Sequence, residues 1–163
     1  MKQFLFAMLL CNFFLSIHAQ SSYQKVSDGV IIHPDKSLSG NVGSIKLTAV
    51  SNHIIRVTAS AENNIEQRES LIVVPQPAGT NWSVSENEGK LTLSTSDVKA
   101  VADLKTGAVY FTDINGKPII AERKLEGRKI EPVVMEGKSL YRVKQTFETD
   151  ADDAYYGLGQ HQE

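Results

Sequence analysis

Cysteine is almost absent from this 163-residue chain: the single thiol, Cys11, lies in an amino-terminal stretch built like a removable leader. Lys2 supplies a positive start, Phe4 to Ile17 (FLFAMLLCNFFLSI) is apolar apart from Asn12 and Ser16, and Ala19 offers a small residue for cleavage. That pattern predicts a secretory signal peptide over residues 1–19, with Gln20 as the mature amino terminus. The apolar run is shorter than the roughly 18–20 residues a bilayer crossing needs, so no membrane span is expected once the signal is removed. A lipoprotein reading would want a small residue just before Cys11, where Leu10 stands. Loss of Cys11 with the leader excludes disulfides, cysteine nucleophiles and thiolate metal sites from the mature chain.

Other absences narrow the field further. Neither sign of charge dominates, since the formal net charge is −2, and no basic stripe interleaves with aromatics. Nucleic acid is therefore not an expected partner. There is no Gly-x-Ser-x-Gly elbow and no Walker loop, so neither a serine hydrolase nor a phosphate cradle is indicated. His33, His53 and His161 are scattered along the chain, without the one-turn or alternate-residue pairing a zinc site uses. Asp150, Asp152 and Asp153 suggest a calcium loop. Counting Asp150 as its first ligand, however, puts Tyr155 where a glycine belongs and His161 where a bidentate glutamate should be. The expectation is a solvated acidic turn, with no metal and no cofactor. Glu66, Glu69, Glu86 and Glu88 sit in polar, turn-like segments, and nothing in the sequence nominates a catalytic carboxylate pair.

What is present is alternation. In "SIKLTAV" Ile45, Leu47 and Ala49 share one face, and in "IIRVTAS" Ile55, Val57 and Ala59 do the same, with the turn chemistry of "VSNH" between them. These two runs read as a hairpin. Further strands are expected at "LIVV" from Leu71, "WSVSE" from Trp82, "KLTLSTS" from Lys90, "VKAVADL" from Val98, "AVYFTD" from Ala108, "PIIAER" from Pro118 and "SLYRVKQTFE" from Ser139. The separators are rich in Gly, Asn, Asp and Pro, and Asn115-Gly116 is a strong hairpin cue. Residues 20–154 therefore predict one all-β domain, a two-sheet antiparallel β-sandwich.

The closing stretch, "VKQTFETDADDAYYGLGQHQE" from Val143 to Glu163, carries a resemblance. A strand ending in Phe, an acidic turn and then Tyr156-Gly157-Leu158-Gly159-Gln160 resemble the end of the amino-terminal sandwich of glycoside hydrolase family 31, the α-glucosidases and α-xylosidases. "IIRV" at Ile54–Val57, "TSDVKAVADLKTGAVYFTDINGKPI" at Thr95–Ile119 and "QTF" at Gln145–Phe147 look like that domain's successive strands in order, so the likeness spans Ser44 to Glu163. It implies a galactose-mutarotase-like sandwich that packs on a (β/α)₈ barrel, where both catalytic aspartates reside. Such a barrel takes about 250 residues, and none of it is in this sequence.

The resemblance also implies that residues 155–163 begin the junction to the missing barrel, with Gln160, His161 and Gln162 at the threshold of the substrate pocket. Gly157 and Gly159 would supply the junction's backbone freedom. Tyr155 and Tyr156 are expected to pack at the sandwich edge or against the barrel, with a sugar-stacking face as the alternative role. No catalytic residue is assigned. The implied role is that of a non-catalytic domain of an exported, periplasmic or extracellular α-glycosidase acting on an α-linked oligosaccharide, silent by itself. A free-standing secreted carbohydrate-binding or structural β-sandwich module is the alternative, and its carbohydrate-binding form predicts an exposed aromatic platform.

Overall fold

The computed structural model describes residues 23–65, 80–150 and 152–153. The candidate residues Gly157, Gly159, Gln160, His161 and Gln162, the tyrosines Tyr155 and Tyr156, the leader and the strand expected at Leu71–Val74 all lie outside the described residues. Every regular element within them is a strand. β1 (Tyr23–Val26), β2 (Gly29–Ile32), β3 (Ser44–Ser51) and β4 (Ile54–Ser60) form one sheet in that order. β5 (Ser83–Asn87), β6 (Lys90–Ser94), β7 (Val98–Asp103), β8 (Val109–Asp113) and β9 (Pro118–Ala121) form a second. β10 (Arg128–Met135) and β11 (Lys138–Gln145) make a separate two-stranded ribbon. Pairing is antiparallel throughout and always between sequence neighbours, so this is an up-and-down meander folded into an all-β sandwich.

The turns follow from local chemistry. Glu88-Gly89 and Glu136-Gly137 hold φ of 49° and 73°, and of 51° and 74°. Two successive positive φ values make the type I′ turn whose twist matches the flanking strands. The first position carries a side chain, and a non-glycine residue there costs roughly 1–2 kcal/mol. The following glycines carry none. At the β8–β9 hairpin, Asp113 Oδ1 accepts hydrogen bonds from the N–H groups of Asn115 (2.9 Å) and Lys117 (2.8 Å), bearing out the Asn-Gly cue.

Alternation then builds the core. Val30 and Ile32 from β2 and Ile45, Leu47 and Ala49 from β3 meet Leu91 and Leu93 from β6, Ala100 and Ala102 from β7 and Val109 from β8. Each fully buried Leu or Ile contributes about 1.5–3 kcal/mol relative to exposure. Lys46 points to the opposite face from Ile45 and Leu47, yet it is also buried, with its ammonium 2.8 Å from Asp28 Oδ2.

Three strands were not anticipated from the sequence. β1 and β2 are short and joined by only Ser27 and Asp28, since Val26 pairs directly with Gly29. β10 contains Pro132 within its run, a residue that usually argues against a strand. It is accommodated because, among the described residues, β11 is the one strand paired with β10, so the outer edge at Pro132 has no ladder bond for its missing N–H to make.

Candidate functional site

The sandwich is tied shut at one end and open at the other. At the closed end, Thr95 Oγ1 donates to the Asn52 carbonyl at 2.5 Å, and His53 Nδ1 lies 2.7 Å from Asp97 Oδ2. These contacts link the β3–β4 turn of one sheet to the β6–β7 turn of the other. The β10–β11 ribbon leaves from the opposite end, beside the β7–β8 turn and the loop at residues 35–41.

Backbone bonds from two directions fix the base of the ribbon. From the loop, the Gly40 carbonyl accepts from the Ile130 N–H at 2.9 Å and Asn41 Nδ2 donates to the Ile130 carbonyl at 3.0 Å. Gly40 has φ of 70°, and a Cβ there would lie 1.9 Å from the Arg128 carbonyl oxygen, so only glycine fits. From the second sheet, Arg123 N–H donates to the Thr146 carbonyl (3.0 Å), Glu148 N–H donates to the Ala121 carbonyl (2.8 Å), and Glu122 bridges Phe147.

A buried polar network sits at this junction. The Glu122 and Arg128 side chains are 6% and 7% exposed and form an ion pair through Glu122 Oε1 and Arg128 Nη2. Gln145 Nε2 donates to the same carboxylate oxygen at 2.6 Å, and its Oε1 accepts from Arg128 Nε at 3.3 Å. Glu122 Oε2 accepts from the Val109 N–H at 3.1 Å. The carboxylate thus has partners on both oxygens, as a buried charge requires.

Two further acids, exposed Asp35 and half-buried Asp103, brace the same end. The Ser37 hydroxyl and then its N–H donate to Asp35 Oδ1 at 2.6 and 2.9 Å, and they hold the Asp35 carboxyl below its ordinary range against a weaker upward push from burial. Burial alone would raise the Asp103 carboxyl. The N–H groups of Thr106 and Lys105, the Thr106 hydroxyl and the Lys124 charge together outweigh it, so the group is also held low.

Between the ribbon and the sandwich lies an open cavity of about 440 Å³. Ile55, Val57 and Ala59 of β4, Phe111 of β8, Ile130 and Val143 of the ribbon, and Phe147 form its apolar walls, with the Glu122–Arg128–Gln145 network at its polar end. The alternating set on β4 foreseen from the sequence faces inward as expected, but it is only half-buried because it fronts this cavity. Glu122 is the one carboxylate among the described lining residues, and its oxygens are already engaged. Its described lining presents apolar contact and shape, with one polar end.

The remaining residues singled out from the sequence do not converge on the cavity. His33 and His53 are exposed on separate segments, as expected, and Glu86 and Glu88 are exposed at the β5–β6 hairpin. Asp150 and Asp153 close a turn on each other, with the Asp150 N–H donating to Asp153 Oδ2 at 2.8 Å and the Asp153 N–H to the Asp150 carbonyl at 3.1 Å. Trp82 packs half-buried against the core with Lys25 Nζ 4.9 Å from its ring centroid, so it is not an open stacking face. Among the described residues, no group of three His, Cys, Asp or Glu side chains is arranged to hold a metal ion, and no helix is long and apolar enough to cross a membrane. Sequence reasoning missed Glu122, Arg128 and Gln145 as a unit. Their only signal was three polar residues beside strand ends.

An antiparallel sandwich of two sheets with an appended two-stranded ribbon defines an all-β domain of the sandwich class. Residues 44–163 match the glycosyl hydrolase 31 N-terminal galactose mutarotase-like domain. The chain belongs to that family. Its fold is similar to a GH31 alpha-xylosidase from Xanthomonas citri, with a TM-score of 0.75 and 37% identity over 85% of this chain. It also shares the fold of a GH31 alpha-xylosidase from a soil metagenome, crystallised with xylose, with a TM-score of 0.68 and 21% identity over 88% of this chain. The chain spans only 15% and 23% of the lengths of those two proteins.

Proposed function

We propose that this chain is the non-catalytic amino-terminal domain of an exported α-glycosidase of the α-xylosidase type. In this role it packs on a catalytic barrel and shapes the pocket that receives an α-linked oligosaccharide. The 37% identity to the Xanthomonas citri α-xylosidase over 85% of this chain carries the reading. The reading is consistent with the cavity, where among the described lining residues the one carboxylate, Glu122, is engaged by Arg128, Gln145 and the Val109 N–H. In this reading Gln160, His161 and Gln162 stand at the pocket's threshold, Gly157 and Gly159 let the chain turn into the junction, and the leader at residues 1–19 directs export.

The test compares two proteins: the 163-residue chain alone, and the same chain continued through its downstream reading frame. Aryl α-xyloside and α-glucoside hydrolysis is assayed for both. The expected result is hydrolysis only by the longer product, with the xyloside preferred. Hydrolysis by the 163-residue chain, abolished by substitutions within it, would overturn the proposal.

A further inference from the structure

The β10–β11 register divides the ribbon into two unlike faces. Directly paired residues project to the same side of an antiparallel pair. Ile130 with Val143, Pro132 with Tyr141 and Val134 with Ser139 therefore share one face, and Arg128 with Gln145 closes it at the base. The opposite face carries Lys129 with Lys144 and Glu131 with Arg142, followed by Val133 with Leu140 and Met135 with Lys138 at the tip. On that second face Lys129 Nζ lies 2.7 Å from Glu131 Oε1, and each group stabilises the other's charged form, as suits a solvated surface.

The first face has no free charge. Arg128 is taken by Glu122, and beyond it Val143, Tyr141 and Val134 stand 64%, 54% and 74% exposed. This apolar strip runs without a break into the cavity walled by Ile55, Val57, Phe111 and Phe147. A contiguous apolar surface of this kind, bordered by charge, marks a contact surface. The chain leaves the described domain beside it: Phe147 lines the cavity, and Glu148 is held to Ala121 just before the acidic turn. The last described strand residues thus run along this rim, and the matched enzymes devote most of their length to what lies outside the matched part.

We infer that this face of the ribbon and its cavity are where the polypeptide following residue 163 in the parent enzyme docks, through an apolar surface of its own. The inference rests on the reading proposed above. The charged face of the ribbon remains in solvent.

The test uses thiol probes in a Cys11→Ser background, in both the 163-residue chain and its downstream-extended form. Val134→Cys and Val143→Cys report the apolar face, and Lys144→Cys reports the charged one. All three positions are exposed, so the substitutions disturb no core packing. Maleimide labelling at Val134→Cys and Val143→Cys should be at least about 100-fold slower in the extended enzyme than in the short chain, while Lys144→Cys changes less than about twofold. Equal labelling of all three in an extended product that hydrolyses α-glycosides would overturn the docking surface and leave the functional reading intact. An extended product without glycosidase activity would overturn that reading and the docking surface with it. Protection that develops in the short chain as its concentration rises would assign the face to a second copy and refute the inference.

Discussion

Glu122→Ala is the most informative single perturbation of the described domain. The wild-type carboxylate accepts from Arg128 and Gln145 on one oxygen and from the Val109 N–H on the other. Its removal strands a guanidinium that is only 7% exposed and leaves the Val109 donor without this acceptor. Breaking a buried ion pair by deleting one partner costs about 3–5 kcal/mol, a large share of the about 5–15 kcal/mol that a domain of this size possesses. Glu122→Gln keeps an acceptor in place but not the charge, and should cost less, about 1.5–3 kcal/mol. The double variant Glu122→Leu with Arg128→Met leaves no buried charge behind and should recover most of the loss, because the two groups are directly coupled. Urea unfolding at neutral pH measures all three through the midpoint and slope. Amide exchange at Ile130 and Thr146 shows whether the ribbon base opens first. An alanine variant within about 1 kcal/mol of wild type, or a double variant no more stable than the single one, would refute the assignment of this network as the tie that holds the ribbon.

Other substitutions probe separate links in the structure. Gly40→Ala forces a side chain into the left-handed region and onto the Arg128 carbonyl, and should cost more than about 1–3 kcal/mol by urea unfolding. Leu47→Ala empties a fully buried site between the sheets and should cost about 2–5 kcal/mol in the same assay. Asp103 has a folded pKa below its ordinary value of about 3.9, so its contribution is complete above that value and lost as pH falls through the folded one. The urea midpoint should therefore fall below about pH 4, and Asp103→Asn should flatten that acid limb; an unchanged limb would remove Asp103 from the explanation.

Much of the sandwich was legible because alternation is a local signal. Ile45, Leu47 and Ala49 had to face one way once the segment was extended, and they are buried as expected. The turns were readable for the same reason, since Asn115-Gly116 needs no distant partner to bend the chain. β10 was not legible. Pro132 argues against a strand until the ribbon's free edge is known, and Arg128 looks like an ordinary surface residue until Glu122 and Gln145 are seen around it. The half-exposed state of Ile55, Val57 and Ala59 was equally hidden, because period two specifies which side a residue faces but not what covers that side.

The sequence by itself determined the all-β class, the hairpin order, the inward faces of the central strands and the family likeness from Ser44 onward. Each of these depends on residues close together in the chain or on motifs in linear order. The tertiary structure alone decided which polar residues are buried together, where the sandwich stays open and which face of the ribbon is apolar. Glu122 and Gln145 stand 23 positions apart, and their hydrogen bond arises only when two turns and a ribbon converge. Register, not composition, puts Ile130, Val143 and Tyr141 on one surface, and register is set by pairing across the chain.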